Sequence, residues 1–275
     1  MTASAPAQPS FDIAKIDHLS WSAVKSCYSA CPRRYSFRYI EQVPEEFIPA
    51  SLAFGSAFHA AVERLHQRKL EGADVPDLNE ALDEFEKHWS PNAVSAEIRF
   101  GKGEDAAVLR DLAARMLAAY CEYLIQAVSE PSQIIAIEHR NRFRLVADVP
   151  PIESRLDLLK LHGTDLVVSD LKTSRSRWND AKTGEAIPQL VLYATSLLPL
   201  MRELGATRIV TKFVVVTKAK KPIVQVLQPH ATQGDVVRLK EFISESWSAI
   251  QSGVFPRRES WACGQCPFRT RCLGC

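Results

Sequence analysis

The stretch from Val167 to Ser174 limits most tightly what this chain can fold into. It reads as a strand whose apolar start, Leu166, Val167 and Val168, marks it as largely buried, yet it carries Asp170 and Lys172. Two apart in a strand, these side chains share one face. A buried carboxylate and ammonium must be paired or hold a metal, so they form either a structural ion pair or a site. Ile152 to Leu161 reads as a second strand, and His162-Gly163-Thr164-Asp165 as a short turn, which together predict a hairpin. A two-residue loop at Gly163-Thr164 pairs residues whose numbers sum to 327 and sets Asp157 opposite Asp170. Cross-strand neighbours lie about 4.5–5.5 Å apart at Cβ, where like charges repel unless a cation lies between them. A divalent metal meets that need, and a one-residue change in loop length removes the coincidence.

At 275 residues and 46% hydrophobic, the chain can bury a full core, as one large domain or a domain with appendages. A Pro/Ala/Ser leader, residues 1–18, is expected to be flexible. The net charge of +2 means that nucleic-acid affinity must come from a local patch. No apolar run approaches the roughly 20 residues of a membrane span, and Met1 to Ser10 lacks the basic and apolar regions of a signal peptide. A soluble, cytoplasmic protein without a membrane partner is expected. Seven cysteines make an odd count for a disulfide framework. Cys263, Cys266 and Cys272, with Cys275 close by, crowd the C-terminus, which in a reducing compartment suggests metal ligation. The two-residue and then five-residue gaps suit thiolates on zinc or an iron–sulfur cluster, with Cys275 or Cys31 as the fourth ligand.

Along the chain, Leu19 to Ser22 can cap a helix running through Cys27, and Cys31 to Tyr39 interleaves Arg33, Arg34 and Arg38 with aromatics. That mixture suits phosphates and stacked bases, or arginines snorkelling over a core. A helix over 51–70, stopped by Gly72, carries His59, with Glu63 one turn on and able to orient its ring. Helices follow at 78–89 and 104–128, joined by a loop around Pro91, then a half-exposed strand from Ile134 to Val146 on which Glu138 reads as a surface acid, though it could reach the site. Arg175 to Glu185 is turn-prone; Pro188 suits the first turn of a helix bearing Gln189 and Tyr193 on one face and ending at Gly205. Strands at 208–218 and 222–227 and a helix at 232–251 complete a pattern of helices and strands mixed around one sheet.

Cys31-Pro32-Arg33-Arg34-Tyr35, Gly55 with His59, Asp157, Asp170-x-Lys172, Gln189-x-x-x-Tyr193 and the three closing cysteines, in that order, resemble a RecB-type nuclease of the PD-(D/E)XK superfamily. The likeness is to the branch with a four-cysteine iron–sulfur cluster, as in AddB and CRISPR-associated exonucleases. It departs in one place, Ser154 standing where the family commonly has glycine. The resemblance implies an α/β fold, a central mixed sheet flanked by helices in a restriction-endonuclease-like core. It implies one nuclease domain over 19–275, with a helical part (19–130), the catalytic sheet (131–255) and a cysteine tail (256–275). It implies that His59, Asp157, Asp170 and the Leu171 carbonyl hold Mg²⁺ or Mn²⁺, that Lys172 positions the attacking water, and that Gln189 and Tyr193 orient Lys172 or the DNA strand. Cys31, Cys263, Cys266 and Cys272 would hold a 4Fe-4S cluster. The activity implied is exonucleolytic hydrolysis of single-stranded DNA or DNA ends in repair, recombination or CRISPR adaptation, with a helicase or a CRISPR integration complex as partner. The alternative is a non-catalytic DNA-binding or scaffold subunit of such a complex.

Overall fold

A computed structural model describes residues 16–73, 75–89, 97–127 and 132–274. Most of the leader, the loop around Pro91 and Cys275 lie outside the described residues. In chain order the elements begin with β1 (Leu19–Ser20), α1 (Pro32–Tyr35), β2 (Ile48–Pro49), α2 (Ala50–Leu70), α3 (Leu78–Trp89), β3 (Ile98–Arg99), α4 (Ala106–Gln126) and β4 (Gln133–Phe143). They continue with β5 (Ile152–His162), β6 (Asp165–Ser174), α5 (Asp180–Ser196), α6 (Leu198–Glu203), β7 (Arg208–Thr217), β8 (Val224–Leu227), α7 (Gln233–Gln251) and α8 (Arg269–Leu273). Among the described residues, no helix is long and apolar enough to cross a membrane.

The chain forms two compact units, one from Met1–Glu46, Phe143–Glu153 and Lys240–Cys275, the other from Phe47–Arg142 and Ser154–Leu239. The larger unit is built on β6. This strand pairs antiparallel with β5 and parallel with β7, which pairs antiparallel with β8. The parallel step needs a crossover, supplied by α5 and α6. The hairpin falls in the expected register: Leu158 faces Ser169 and His162 faces Asp165, and Gly163 adopts the left-handed φ of 57° that its two-residue loop requires.

Both faces of this sheet are covered, so β6 and β7 read as apolar runs rather than strict alternation. On one face Leu171, Val214 and Val216 join α2, α3 and α4 in a core that includes Phe54, Phe58 and Met116. α2 forms because Ala53, Phe54, Ala57, Phe58, Ala61, Val62 and Leu65 recur at helical spacing and are all buried. On the other face Leu166, Val168, Phe213 and Val215 pack with Leu190, Tyr193 and Leu197 of the crossover.

The crossover corrects one expectation. α5 starts eight residues before Pro188, because Asn179 caps it by accepting the Lys182 N–H at 2.9 Å. Pro188 sits inside the helix, where its ring would press on the carbonyl four residues back. That residue is Gly184, and the helix continues through both. The helical run also breaks at Leu197, and Gly205, at φ 63°, closes α6 rather than α5.

In the smaller unit Leu19 and Ser20 pair with Ile152 and Glu153, and the expected helix follows as a π-helical run over Ala23–Tyr28, with Ser20 Oγ accepting the Ala23 N–H at 3.1 Å. The two ends of the chain meet here: Arg33 N–H donates to Pro256 O, Glu46 N–H to Pro267 O, and Arg258 to Ser29 O at 2.7 Å. Tyr35 packs among Tyr28, Tyr39 and Phe255, and Phe37 against Phe268. Of the two readings of Cys31 to Tyr39, the arginines over a core are the one found. Tyr35 and Phe37 are buried, Arg33 covers the Phe37 ring at 4.3 Å and pairs with Glu41, and Arg38 pairs with Glu45.

Candidate active site

Strand β6 delivers Asp170 and Lys172 to one face, where Lys172 Nζ meets Asp170 Oδ2 at 2.7 Å. Asp170 is 1% exposed, and no donor is aimed along a hydrogen-bond direction at Oδ2, so the contact with Lys172 is an ion pair that leaves oxygen lone pairs open. Its other oxygen lies 3.2 Å from the Tyr193 hydroxyl. That hydroxyl accepts from Gln189 Nε2 at 2.7 Å and has one proton to share between Asp170 and the Arg155 carbonyl at 2.8 Å. Gln189 and Tyr193 thus form a relay onto Asp170, where the resemblance had pointed to Lys172 or DNA. Burial raises the Tyr193 pKa well above its ordinary value, aided by the charges of Asp170 and Asp157, so the relay stays protonated. Burial also raises the Asp170 pKa, against the pull of Lys172.

Asp157 lies one residue past the last paired position, Leu158 opposite Ser169, where the regular ladder has ended. Its Oδ2 accepts the Leu171 N–H at 2.6 Å, taking the place of a strand carbonyl. In an extended strand a residue's N–H and C=O point to the same edge, so the Leu171 carbonyl is turned toward the same carboxylate. Oδ1 of Asp157 faces His59 Nδ1 of α2 at 3.5 Å. Burial lowers the His59 pKa, but the contact with Asp157 and the charges of Asp157 and Asp170 outweigh it and the net shift is upward. The Asp157 pKa falls because His59, Lys172 and the Leu171 N–H together outweigh its burial.

Glu138 is the residue that strand alternation misplaced. Its φ of 51° is unusual for a non-glycine residue and breaks the alternation of β4. The carboxylate is only 12% exposed, pairs with Arg155, and has a raised pKa, chiefly from burial and then from Asp157. His59, Glu138 and Asp157 each offer a ligand atom within 4.8 Å of the others, and this is the sole such group among the described residues. They border a cavity of about 20 Å³, above the roughly 10–15 Å³ that a single water needs. Glu63 lines the same cavity and accepts from Gln67 Nε2. The donor set suits a divalent ion, with carboxylate oxygens for Mg²⁺ and an imidazole that favours Mn²⁺.

The cavity floor was not legible in the sequence. His66, two helical turns after His59, is buried with Nε2 3.0 Å from the Tyr120 hydroxyl of α4. Burial, helped by Lys160 and Lys69, pushes its pKa down to about 3. The unfolded chain therefore binds a proton near pH 6.5 that the folded chain refuses, so stability rises with pH across this window and is lost as pH falls below 6.5. Denaturant melts should show a loss approaching about 1.4 kcal/mol per pH unit between pH 6.5 and 5, and His66→Gln should flatten that slope. An unchanged slope in the variant would assign the acid sensitivity elsewhere.

In the smaller unit Cys31, Cys263, Cys266 and Cys272 line one cavity of about 260 Å³, together with Arg34 and Arg257. The Nε of Arg34 is buried without a hydrogen-bond partner. Burial raises the Cys266 and Cys272 thiols, opposed by the Phe268 N–H and then Arg34 at the first and by Arg257 at the second.

A mixed sheet flanked by helices, with acid-x-lysine on its central strand and a second aspartate one strand over, is a restriction-endonuclease-like core. Residues 18–273 match the model of the PD-(D/E)XK nuclease superfamily, and the chain belongs to that family. A crystal structure of a "putative exonuclease" from Eubacterium rectale aligns at 13% identity over 88% of this chain and 84% of that one, with a TM-score of 0.55. That likeness speaks for the fold. A structure of SSO0001 aligns at 14% identity over 84% of this chain and 87% of that one, with a TM-score of 0.33, too low to carry an argument. No curated protein matches the chain significantly.

Proposed function

We propose that the chain is a divalent-metal-dependent deoxyribonuclease, an exonuclease acting on single strands or DNA ends, with residues 19–275 serving as one nuclease module. The observation that carries this reading is the convergence of His59, Glu138 and Asp157 beside the buried Asp170–Lys172 pair. Buried charges are costly to keep, and a retired site has no physical reason to retain them. Asp157, Asp170, His59 and the Leu171 carbonyl hold the ion, with Glu138 as a further carboxylate. A lowered pKa for an attached water and a polarised phosphate are the chemistry that a divalent ion supplies. Lys172 positions the attacking water and stabilises charge growing on the phosphate. Tyr193 and Gln189 fix the rotamer of Asp170. Repair, recombination or CRISPR adaptation, with a helicase or integration complex as partner, is the setting this activity fits.

The cysteine cavity fits an iron–sulfur cluster held by Cys31, Cys263, Cys266 and Cys272. It offers four thiols, room for a group of several atoms, and in Arg34 a buried donor without an acceptor. Nearby guanidiniums offset the negative charge that thiolates and cluster bring.

End-labelled single-stranded and blunt duplex DNA incubated with Mn²⁺ tests the activity, and absence of cleavage on both would end the proposal. Mn²⁺ binding followed by calorimetry tests the ion site. His59→Ala and Glu138→Gln should each weaken Mn²⁺ by at least about 10-fold, with DNA affinity in chelator unchanged. Because the ring must be neutral to ligate, Mn²⁺ affinity of the wild type should rise with pH through a value above 6.5 and lose that dependence in His59→Ala. Equal loss of activity at every Mn²⁺ concentration would make His59 structural or a proton-transfer group rather than a ligand.

A further inference from the structure

Trp261 is 92% exposed, whereas Trp21, Trp89 and Trp247 are buried and Trp178 is half-buried against Phe213. The ring does not hang from a frayed end. It opens the 3-10 turn Trp261–Gln265, whose start is fixed by Ser260: the Ser260 Oγ accepts the Ala262 N–H at 3.3 Å, and the Ser260 N–H reaches Cys263 Sγ at 3.4 Å. Three residues on, α8 begins, where Arg269 N–H donates to Cys266 O. The segment around the ring is strongly basic, with Arg257, Arg258, Arg269 and Arg271 against the single acid Glu259. Arg257 pairs with Glu259 and Arg258 is bound to Ser29 O, while Arg269 and Arg271 make no ion pair among the described residues.

We propose that Trp261 is a stacking platform for an unpaired nucleobase, with Arg269 and Arg271 taking the flanking phosphates of a single strand. The inference builds on the nuclease reading and names a contact surface that the reacting residues do not include. A solvent-facing indole in the same short basic segment as guanidiniums without ion pairs is the combination that binds single strands without sequence preference. In a duplex the base faces are already stacked on one another, so the platform selects unpaired DNA. An apolar protein partner would call for an apolar rim, whereas the residues preceding the ring in sequence are Arg257, Arg258, Glu259 and Ser260.

The test is fluorescence anisotropy of the full chain in chelator, with a labelled single-stranded oligonucleotide and a blunt duplex. Trp261→Ala should weaken single-strand binding by about 5- to 150-fold, the range that loss of one base–aromatic stack gives. Trp261→Phe should keep most of the affinity, and duplex binding should not move. Replacing Arg269 and Arg271 together by glutamine should lower the slope of log affinity against log salt by about 1.4. Unchanged single-strand affinity in Trp261→Ala, an equal loss on duplex, or no single-strand binding by the wild type each overturns the platform. A wild type that binds single strands through Trp261 but cleaves nothing with Mg²⁺ or Mn²⁺ would sink the nuclease reading and leave the platform standing.

Discussion

Asp170→Asn and Lys172→Ala should each slow DNA cleavage by about 10²–10³-fold or more, the range seen when one charge-stabilising group is removed from an active site, and they should differ in what they do to the fold. Asp170 is fully buried, whereas the Lys172 side chain is 29% exposed. Removing the aspartate charge leaves an ammonium that can turn to water, and the amide that replaces the carboxylate can still accept from the Tyr193 hydroxyl. Removing the lysine strands a carboxylate inside the sheet, with its pKa already raised by burial and its main compensating charge gone. Loss of one partner of a buried pair costs about 3–5 kcal/mol unless the survivor takes up a proton. Lys172→Ala should therefore be the less stable variant and should recover part of that stability as pH is lowered and Asp170 becomes neutral. Denaturant melts at two pH values beside initial cleavage rates read both effects. Wild-type cleavage by a folded Asp170→Asn would remove that residue from the site, and equal stabilities would mean the pair is not electrostatically coupled.

The hairpin was legible because its signals are local and agree. A glycine at the one position that needs a left-handed φ fixes the loop, and the loop fixes the register as far as Leu158 opposite Ser169; beyond that the ladder stops and Asp157 turns to the Leu171 N–H instead. α2 was equally legible from its apolar spacing. Glu138 was not, because alternation assumes regular strand geometry and a φ of 51° breaks it at that residue alone. The Tyr193 contact was half legible: helical spacing put Gln189 beside Tyr193, but the choice of Asp170 as partner depends on how the crossover helix lies on the sheet. Pattern decided least in the smaller unit. Arginines between aromatics left a nucleic-acid surface and a core under snorkelling arginines both open at Cys31 to Tyr39, and the aromatics went inside because the C-terminal residues Phe255 and Phe268 arrive to pack on them. Trp261, on which the sequence pattern gave no reading, is left outside by a turn whose geometry no periodicity encodes.

The tail carries the other large effect: Cys31→Ser should bleach the protein and loosen both ends of the chain, while Cys275→Ser should do neither. Anaerobically purified wild type is expected to be brown, with visible absorbance from thiolate-bound iron. The link from Cys31 to Cys263 closes a loop of more than two hundred residues. In the simple cross-link model such closure removes unfolded-state entropy worth on the order of 5 kcal/mol, a large share of the roughly 5–15 kcal/mol that stabilises an ordinary domain. Without the cluster the ends remain joined by contacts such as Arg33 N–H to Pro256 O and Phe37 on Phe268, so the unit should open at lower denaturant rather than fail to form. Trp261 lies two residues before Cys263, so single-strand affinity should fall with the colour. Mn²⁺ binding should persist, since His59, Glu138 and Asp157 belong to the other unit. Colourless wild type with stoichiometric zinc would end the iron assignment but keep the staple. Retained colour and stability in Cys31→Ser would end the staple itself.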